Sequence, residues 1–152
     1  MRGRRLGRVR RIFLHIRKPE GGLFMESALF FSAAPLAGHL FDLLEAAVRP
    51  RHPSMTVNVQ KSQVTFCDPN PFCWCSLPRS RKPGPETGLM VSFGFDQRIA
   101  DPRIFQAVEP YPNRWTHHVL LTAPKAVDEQ LLTWLDMSHR FRCVACRRRK
   151  QG

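Results

Sequence analysis

The sequence predicts an α+β domain: an antiparallel sheet of about four to five strands, with an N-terminal and a C-terminal helix packed on one face. Three observations carry this. Leu36, Leu40, Leu43, Leu44 and Ala47 recur at helical spacing, several short segments between residues 56 and 121 alternate at period two, and Val127, Leu131, Trp134, Leu135 and Ser138 form a second apolar stripe. Strands with no long helix between them pair antiparallel, and the two stripes need a common sheet face to bury.

The first helix is expected to take Ser32 as its N-cap and to tolerate Pro35 in its first turn. His39, Asp42 and Glu45 fall off its stripe. Pro50 ends it, because the residue before a proline is pushed out of the α region. Thr56–Gln60 and Gln63–Phe66 are rich in Val and Thr and read as strands. Phe72–Leu77 sets Phe72, Trp74 and Ser76 against Cys73, Cys75 and Leu77; Leu89–Phe95 and Trp115–Leu121 complete the set. Asp68-Pro69-Asn70-Pro71 and the polar, basic loop 78–88 supply turn chemistry between them. Asp101 is expected to cap a short helix running through Pro102, Ile104 and Val108. The closing helix is expected from about Pro124 to Met137 or beyond.

The 152 residues hold 24 Lys+Arg against 12 Asp+Glu, a formal +12. The charge sits at the two ends. Residues 1–24 carry seven Arg and Lys18 against Glu20, and residues 138–152 carry five Arg and Lys150 with no acid; the stretch 25–137 nets −1. The length suits one domain. We divide the chain into a basic extension (1–24), a single domain (25–141) and a basic tail (142–152). Basic arms can bind polyanions through counterion release without a folded site.

For residues 1–24 a secretory signal is excluded, because the one basic-flanked apolar run, Ile12–Ile16, is short and contains His15. A mitochondrial presequence lacks its hydroxyl residues, since no Ser or Thr precedes Ser27. A third reading has translation begin at Met25: Glu20-Gly21-Gly22 can be encoded with a ribosome-binding GGAGG, and Leu23-Phe24 then act as spacer. No run reaches the ~18 uncharged apolar residues of a membrane span. The five cysteines are an odd number without a secretion signal, so we expect reduced thiols and a cytoplasmic location.

Lys61-Ser62-Gln63-Val64-Thr65-Phe66, Phe72-Cys73-Trp74, Val91-Ser92-Phe93-Gly94, Asp101-Pro102-Arg103-Ile104, the run Val108–Val119 and the segment Asp128–Leu135 follow one another as motifs of a single family. Over about residues 26–141 the chain resembles the bacterial "domain of unknown function 5655" family, with Arg114-Trp115-Thr116-His117-His118 the most specific stretch. More distantly it resembles small YjbR-like domains, which implies a helix-flanked antiparallel sheet and, by analogy alone, nucleic-acid binding. The chain departs from the family pattern in two places. Ala123-Pro124-Lys125-Ala126 lacks the Ser that caps the family's last helix, and Ser138-His139 stands where the family carries Ala-Tyr. Beyond Phe141 the resemblance stops.

Adjacent His117 and His118 point to opposite faces of a strand and cannot share one metal. One is expected under a helix with Trp115 and Val119, the other on the open side. Lys61, Gln63, Arg114 and His118 are the candidate anion or nucleic-acid contacts. Trp74, Trp115 and His117, with Lys61, are the candidate lining of a small-molecule or catalytic pocket. If strand aromatics and basic residues share an uncovered face, that face can stack bases; the plainer expectation puts Phe72, Trp74, Phe93, Phe95 and Trp115 in the core.

Cys73 and Cys75 are expected as small buried apolar residues. Cys143-Val144-Ala145-Cys146 is half of a zinc site at most, with His139 the nearest further donor, so we expect no metal and no cofactor. No nucleophile elbow, phosphate loop, zincin or dinucleotide motif occurs. The sequence thus leans away from an enzyme and towards a binding module, with nucleic acid the leading partner.

Overall fold

The computed structural model describes residues 26–79 and 82–151, with side chains through Cys143. The basic extension 1–24, the start at Met25 and the Cys146 thiol therefore lie outside the described residues. A helical turn at 26–30 leads into α1 (Pro35–Val48). Six strands follow: β1 (Thr56–Val59), β2 (Val64–Cys67), β3 (Pro71–Ser76), β4 (Leu89–Phe95), β5 (Ile104–Tyr111) and β6 (Arg114–Leu121). A 3-10 turn (Pro124–Ala126) and α2 (Glu129–Gln151) close the chain. The sheet order is β1-β2-β3-β4-β6-β5, and every neighbouring pair is antiparallel.

The α+β class holds, with one strand more than the upper expectation. The addition is β5, where the sequence predicts a short helix. Ile104 and Val108 stand at helical spacing, yet the segment pairs along β6, Ile104 opposite Val119 and Val108 opposite Thr116. Four residues also span two strand repeats, so the spacing fits both periods, and the free edge of β6 decided between them. Asp101 still caps, accepting the Arg103 N–H at 2.8 Å in a turn.

Helix ends differ in detail. Ala34, not Ser32, is the N-cap of α1, and no side chain caps it. Pro124 opens only the 3-10 turn; α2 starts five residues later, where Asp128 Oδ1 accepts the Leu131 N–H at 3.0 Å. That aspartate replaces the serine cap missing before Pro124, because an acid at this position offers both an acceptor and a favourable charge at the helix N-terminus. Backbone helix continues to Gln151, through the segment the sequence reads as a tail.

Register shows why both helices share a face. Phe66, Cys73, Phe93 and His117 are opposite one another on β2, β3, β4 and β6, so they project to one side. Phe41 of α1 packs on Phe66 with ring centroids 5.6 Å apart, and Trp134 of α2 stacks on Phe93 at 5.6 Å. Leu40, Leu44, Leu131 and Leu135 fill the space between. A register shift at Phe66/Cys67 breaks the alternation of β3: Phe72 joins the core against Phe66 and is fully buried together with its neighbour Cys73. Ser138 ties α2 to the strands. Its hydroxyl donates to the Phe72 carbonyl at 2.7 Å and accepts the Gly94 N–H at 3.0 Å.

Candidate functional site on the open sheet face

One row of residues crosses the face that the helices leave uncovered. Thr65, Trp74, Ser92, His118 and Gln106 sit opposite each other in turn across β2, β3, β4, β6 and β5. A groove of about 560 Å³ runs over Trp74, Ser92, His118 and Gln106 of this row, and it is bordered by Gln63, Arg79, Met90, Phe105 and Thr116. Among the described residues none of its lining is acidic.

Ser92 and His118 form the centre. Ser92 Oγ lies 2.6 Å from His118 Nδ1, a short hydrogen bond between facing residues of β4 and β6. Desolvation holds the His118 imidazole below the ordinary histidine range, so the ring is neutral at pH 7 and presents hydrogen-bonding nitrogens in place of a charge. Trp74 supplies a flat indole. The Arg142 guanidinium stands over that ring, 5.8 Å from its centroid, while its Nε donates to the Pro71 carbonyl. Phe105, 59% exposed on the bulged edge strand, adds a second aromatic. Gln60 orders one rim, accepting from Gln63 Nε2 at 3.1 Å and from Thr65 Oγ1 at 3.2 Å.

The structure brings Gln63, Trp74 and His118 together. It separates the other candidates. Lys61 is exposed in the β1–β2 turn and does not line the groove. Arg114 opens β6 four residues before His118, at the far end of that strand. Trp115 and His117 share the helix-covered face: Trp115 opposes Phe95, and His117 stacks on Phe93 at 5.1 Å with no exposed surface. Trp74 and Trp115 therefore do not share one pocket with His117, since their side chains leave opposite sides of the sheet.

His117 is a core histidine. Ile99 donates its N–H to Nε2 at 2.9 Å, which places the proton of the neutral ring on Nδ1. That Nδ1 is buried and has no hydrogen-bond partner among the described residues. Desolvation, with lesser contributions from His118 and Arg98, lowers its pKa. Of the five strand aromatics, Phe72 and Phe93 are core, Phe95 contacts Phe141, and Trp115 lies on the covered face. Trp74 alone of these lies on the uncovered face.

Ser92, Gln106 and Phe105 escaped the sequence reading. Ser92 lies in a family motif but carried no role there, Gln106 lies in none, and both become site residues only through register with His118. Phe105 sits in the segment expected to be helical. Cys73 and Cys75 are buried as expected, and burial pushes the Cys73 thiol well up.

The family profile described as a domain of unknown function (DUF5655) matches residues 28–142. The chain belongs to this family. No curated protein and no solved structure matches it, so the likeness to YjbR-like domains gains no support there. The match in this DUF5655 protein spans every strand, the whole Thr65–Gln106 row and Arg142 over Trp74. Among the described residues no helix is long and apolar enough to cross a membrane.

Proposed function

We propose that this DUF5655 domain is a non-enzymatic binding module whose open sheet face takes single-stranded nucleic acid. The observation that carries the reading is Trp74: a half-buried indole on the uncovered face, with a guanidinium over it and a row of neutral hydrogen-bonding side chains beside it. Bases stack on such rings regardless of sequence, and Arg contributes both to stacking and to phosphate attraction. Gln63, Gln106, Ser92 and the neutral His118 offer donors and acceptors to base edges. The Arg-rich ends, including Arg147, Arg148, Arg149 and Lys150, add salt-dependent attraction. Free thiols at Cys67, Cys73, Cys75 and Cys143 suit a reducing, cytoplasmic setting.

Titration of a fluorescent single-stranded oligonucleotide across a salt series tests this. Trp74→Ala is expected to weaken binding roughly ten-fold or more without changing the salt slope. Replacing Arg147, Arg148, Arg149 and Lys150 by Ala is expected to flatten the slope instead. Unchanged affinity in Trp74→Ala would leave the basic ends as the binder and remove the sheet face from the reading.

The Ser92–His118 hydrogen bond favours a second reading, a small-molecule or catalytic groove on the same face. Its volume lies within the ~300–1,000 Å³ of ligand pockets. A serine nucleophile wants its histidine oriented by a third group, and among the described residues no carboxylate hydrogen-bonds to His118. Ligand affinity independent of salt, lost in His118→Gln, would favour this reading over nucleic acid.

A further inference from the structure

On the helix side of the sheet, three side chains from three separate elements meet. His52 lies in the turn after α1, Asp68 in the β2–β3 loop and His139 on α2. One potential ligand atom from each lies within 4.8 Å of the others. Asp68 Oδ2 is 3.2 Å from His139 Nε2 and 3.7 Å from His52 Nδ1. Ligands ~2.0–2.1 Å from a tetrahedral zinc ion stand ~3.3 Å apart, so of the two spacings to Asp68 one already fits and the other is a few tenths of an ångström wide. The two imidazole rings are tilted by 39° to each other, with centroids 4.4 Å apart.

The surroundings of His52 carry the argument further. Its Nε2 pairs with Asp136 Oδ1 at 2.9 Å, and Asp136 Oδ2 accepts from Arg51 at 2.6 Å. A carboxylate on one ring nitrogen keeps the proton there and leaves the other nitrogen as a lone pair, the arrangement that orients metal-binding histidines. That lone pair is Nδ1, the atom directed at Asp68. His52 is nearly buried, whereas Asp68 and His139 keep about a fifth of their side-chain surface exposed.

We propose that His52 Nδ1, Asp68 Oδ2 and His139 Nε2 bind one divalent transition metal of the zinc class. Two imidazoles and one carboxylate select against magnesium and calcium, which prefer oxygen donors throughout. The ion clips the turn after α1 and the β2–β3 loop to α2, with its fourth position open to water on the exposed side. His139 Nε2 is also 2.9 Å from the Asp68 carbonyl oxygen, to which it donates without metal; in the bound form that proton sits on Nδ1.

Zinc and cobalt titrations of the full chain test the site. One metal per chain is expected, with a raised unfolding temperature and zinc-induced shifts in the imidazole resonances of two of the six histidines. Binding is expected to persist when Cys143 and Cys146 are both replaced by Ser, and the cobalt spectrum is expected to show no sulfur charge-transfer band. His139→Gln is expected to weaken binding at least ~100-fold, and Asp136→Asn about 10–100-fold with the stoichiometry kept. No stoichiometric binding by the wild-type chain, or binding lost in the cysteine variant and kept in His139→Gln, would reduce the three residues to a hydrogen-bonded cluster only. Should His139→Gln not fold, the imidazole resonances of the wild-type chain decide alone.

Discussion

Ser92 and His118 face each other across β4 and β6 with Oγ and Nδ1 2.6 Å apart, on the side of the sheet that, among the described residues, carries no helix. One residue earlier on β6, His117 is fully buried on the other side of the sheet, stacked on Phe93. Two adjacent residues of the same type thus occupy opposite environments, and each supports a different expectation.

His118 is neutral at pH 7, because its desolvated ring sits below the usual histidine range. His118→Ala is therefore expected to weaken oligonucleotide binding about three- to ten-fold, the worth of one net hydrogen bond, with no change in salt slope. A slope reduced by about one unit would mean that the ring binds as a cation.

His117 is expected to contribute to acid sensitivity. Its pKa is lowered in the fold, chiefly by desolvation, so the unfolded chain takes up this proton first as pH falls. The stabilisation is complete above the unfolded value near ~6.5 and is lost as pH falls through the lowered folded value. Unfolding midpoints measured between about pH 8 and pH 5 are expected to drop below pH ~6.5 in the wild type and to drop less in His117→Gln. Glutamine can still accept the Ile99 N–H. Equal pH dependence in both proteins would assign the acid sensitivity elsewhere.

Ser138→Ala removes one hydroxyl that serves two strands. The Phe72 carbonyl and the Gly94 N–H, both at a buried site, lose their partner together. A loss of about 2 kcal/mol is expected in urea unfolding, with the unfolding slope unchanged. Groove binding is expected to survive, since Ser138 lies on the covered side.

Gly88 leads into β4 beside β6, where a Cβ would lie 2.3 Å from the Leu121 carbonyl oxygen. Backbone, not a flexible side chain, would have to move. Gly88→Ala is expected to cost about 1–3 kcal/mol, read as a lower midpoint in the same denaturation. A neutral result would show that β4 and β6 separate there without penalty.

Much of the architecture was legible in the chain because burial imposes periods. The stripes Leu36–Ala47 and Val127–Ser138 each need an apolar surface, and the alternation in β2, β4 and β6 provides it. Where a pattern satisfied two periods, as at Ile104 and Val108, local spacing could not choose, and the unpaired edge of β6 did. Capping misled for a related reason. Ser32 and Asp128 are both good N-caps, and only the path of the chain brought Asp128 next to a helix start.

The groove divides along the same line. From adjacency alone, His117 and His118 had to point apart, and six successive motifs, Arg-Trp-Thr-His-His the most specific, named the family. Adjacency could not say which ring met Phe93 and which met Ser92. Nor could it gather Thr65, Trp74, Ser92, His118 and Gln106 into one row, because residues far apart in sequence become neighbours only through strand register. The meeting of His52, Asp68 and His139 is further still from any local signal: no spacing links residues on a turn, a loop and a helix. By itself the sequence determined periods and charge, which depend on near neighbours. The tertiary structure alone decided which face stayed open and which side chains meet there, because pairing and packing act across the whole chain.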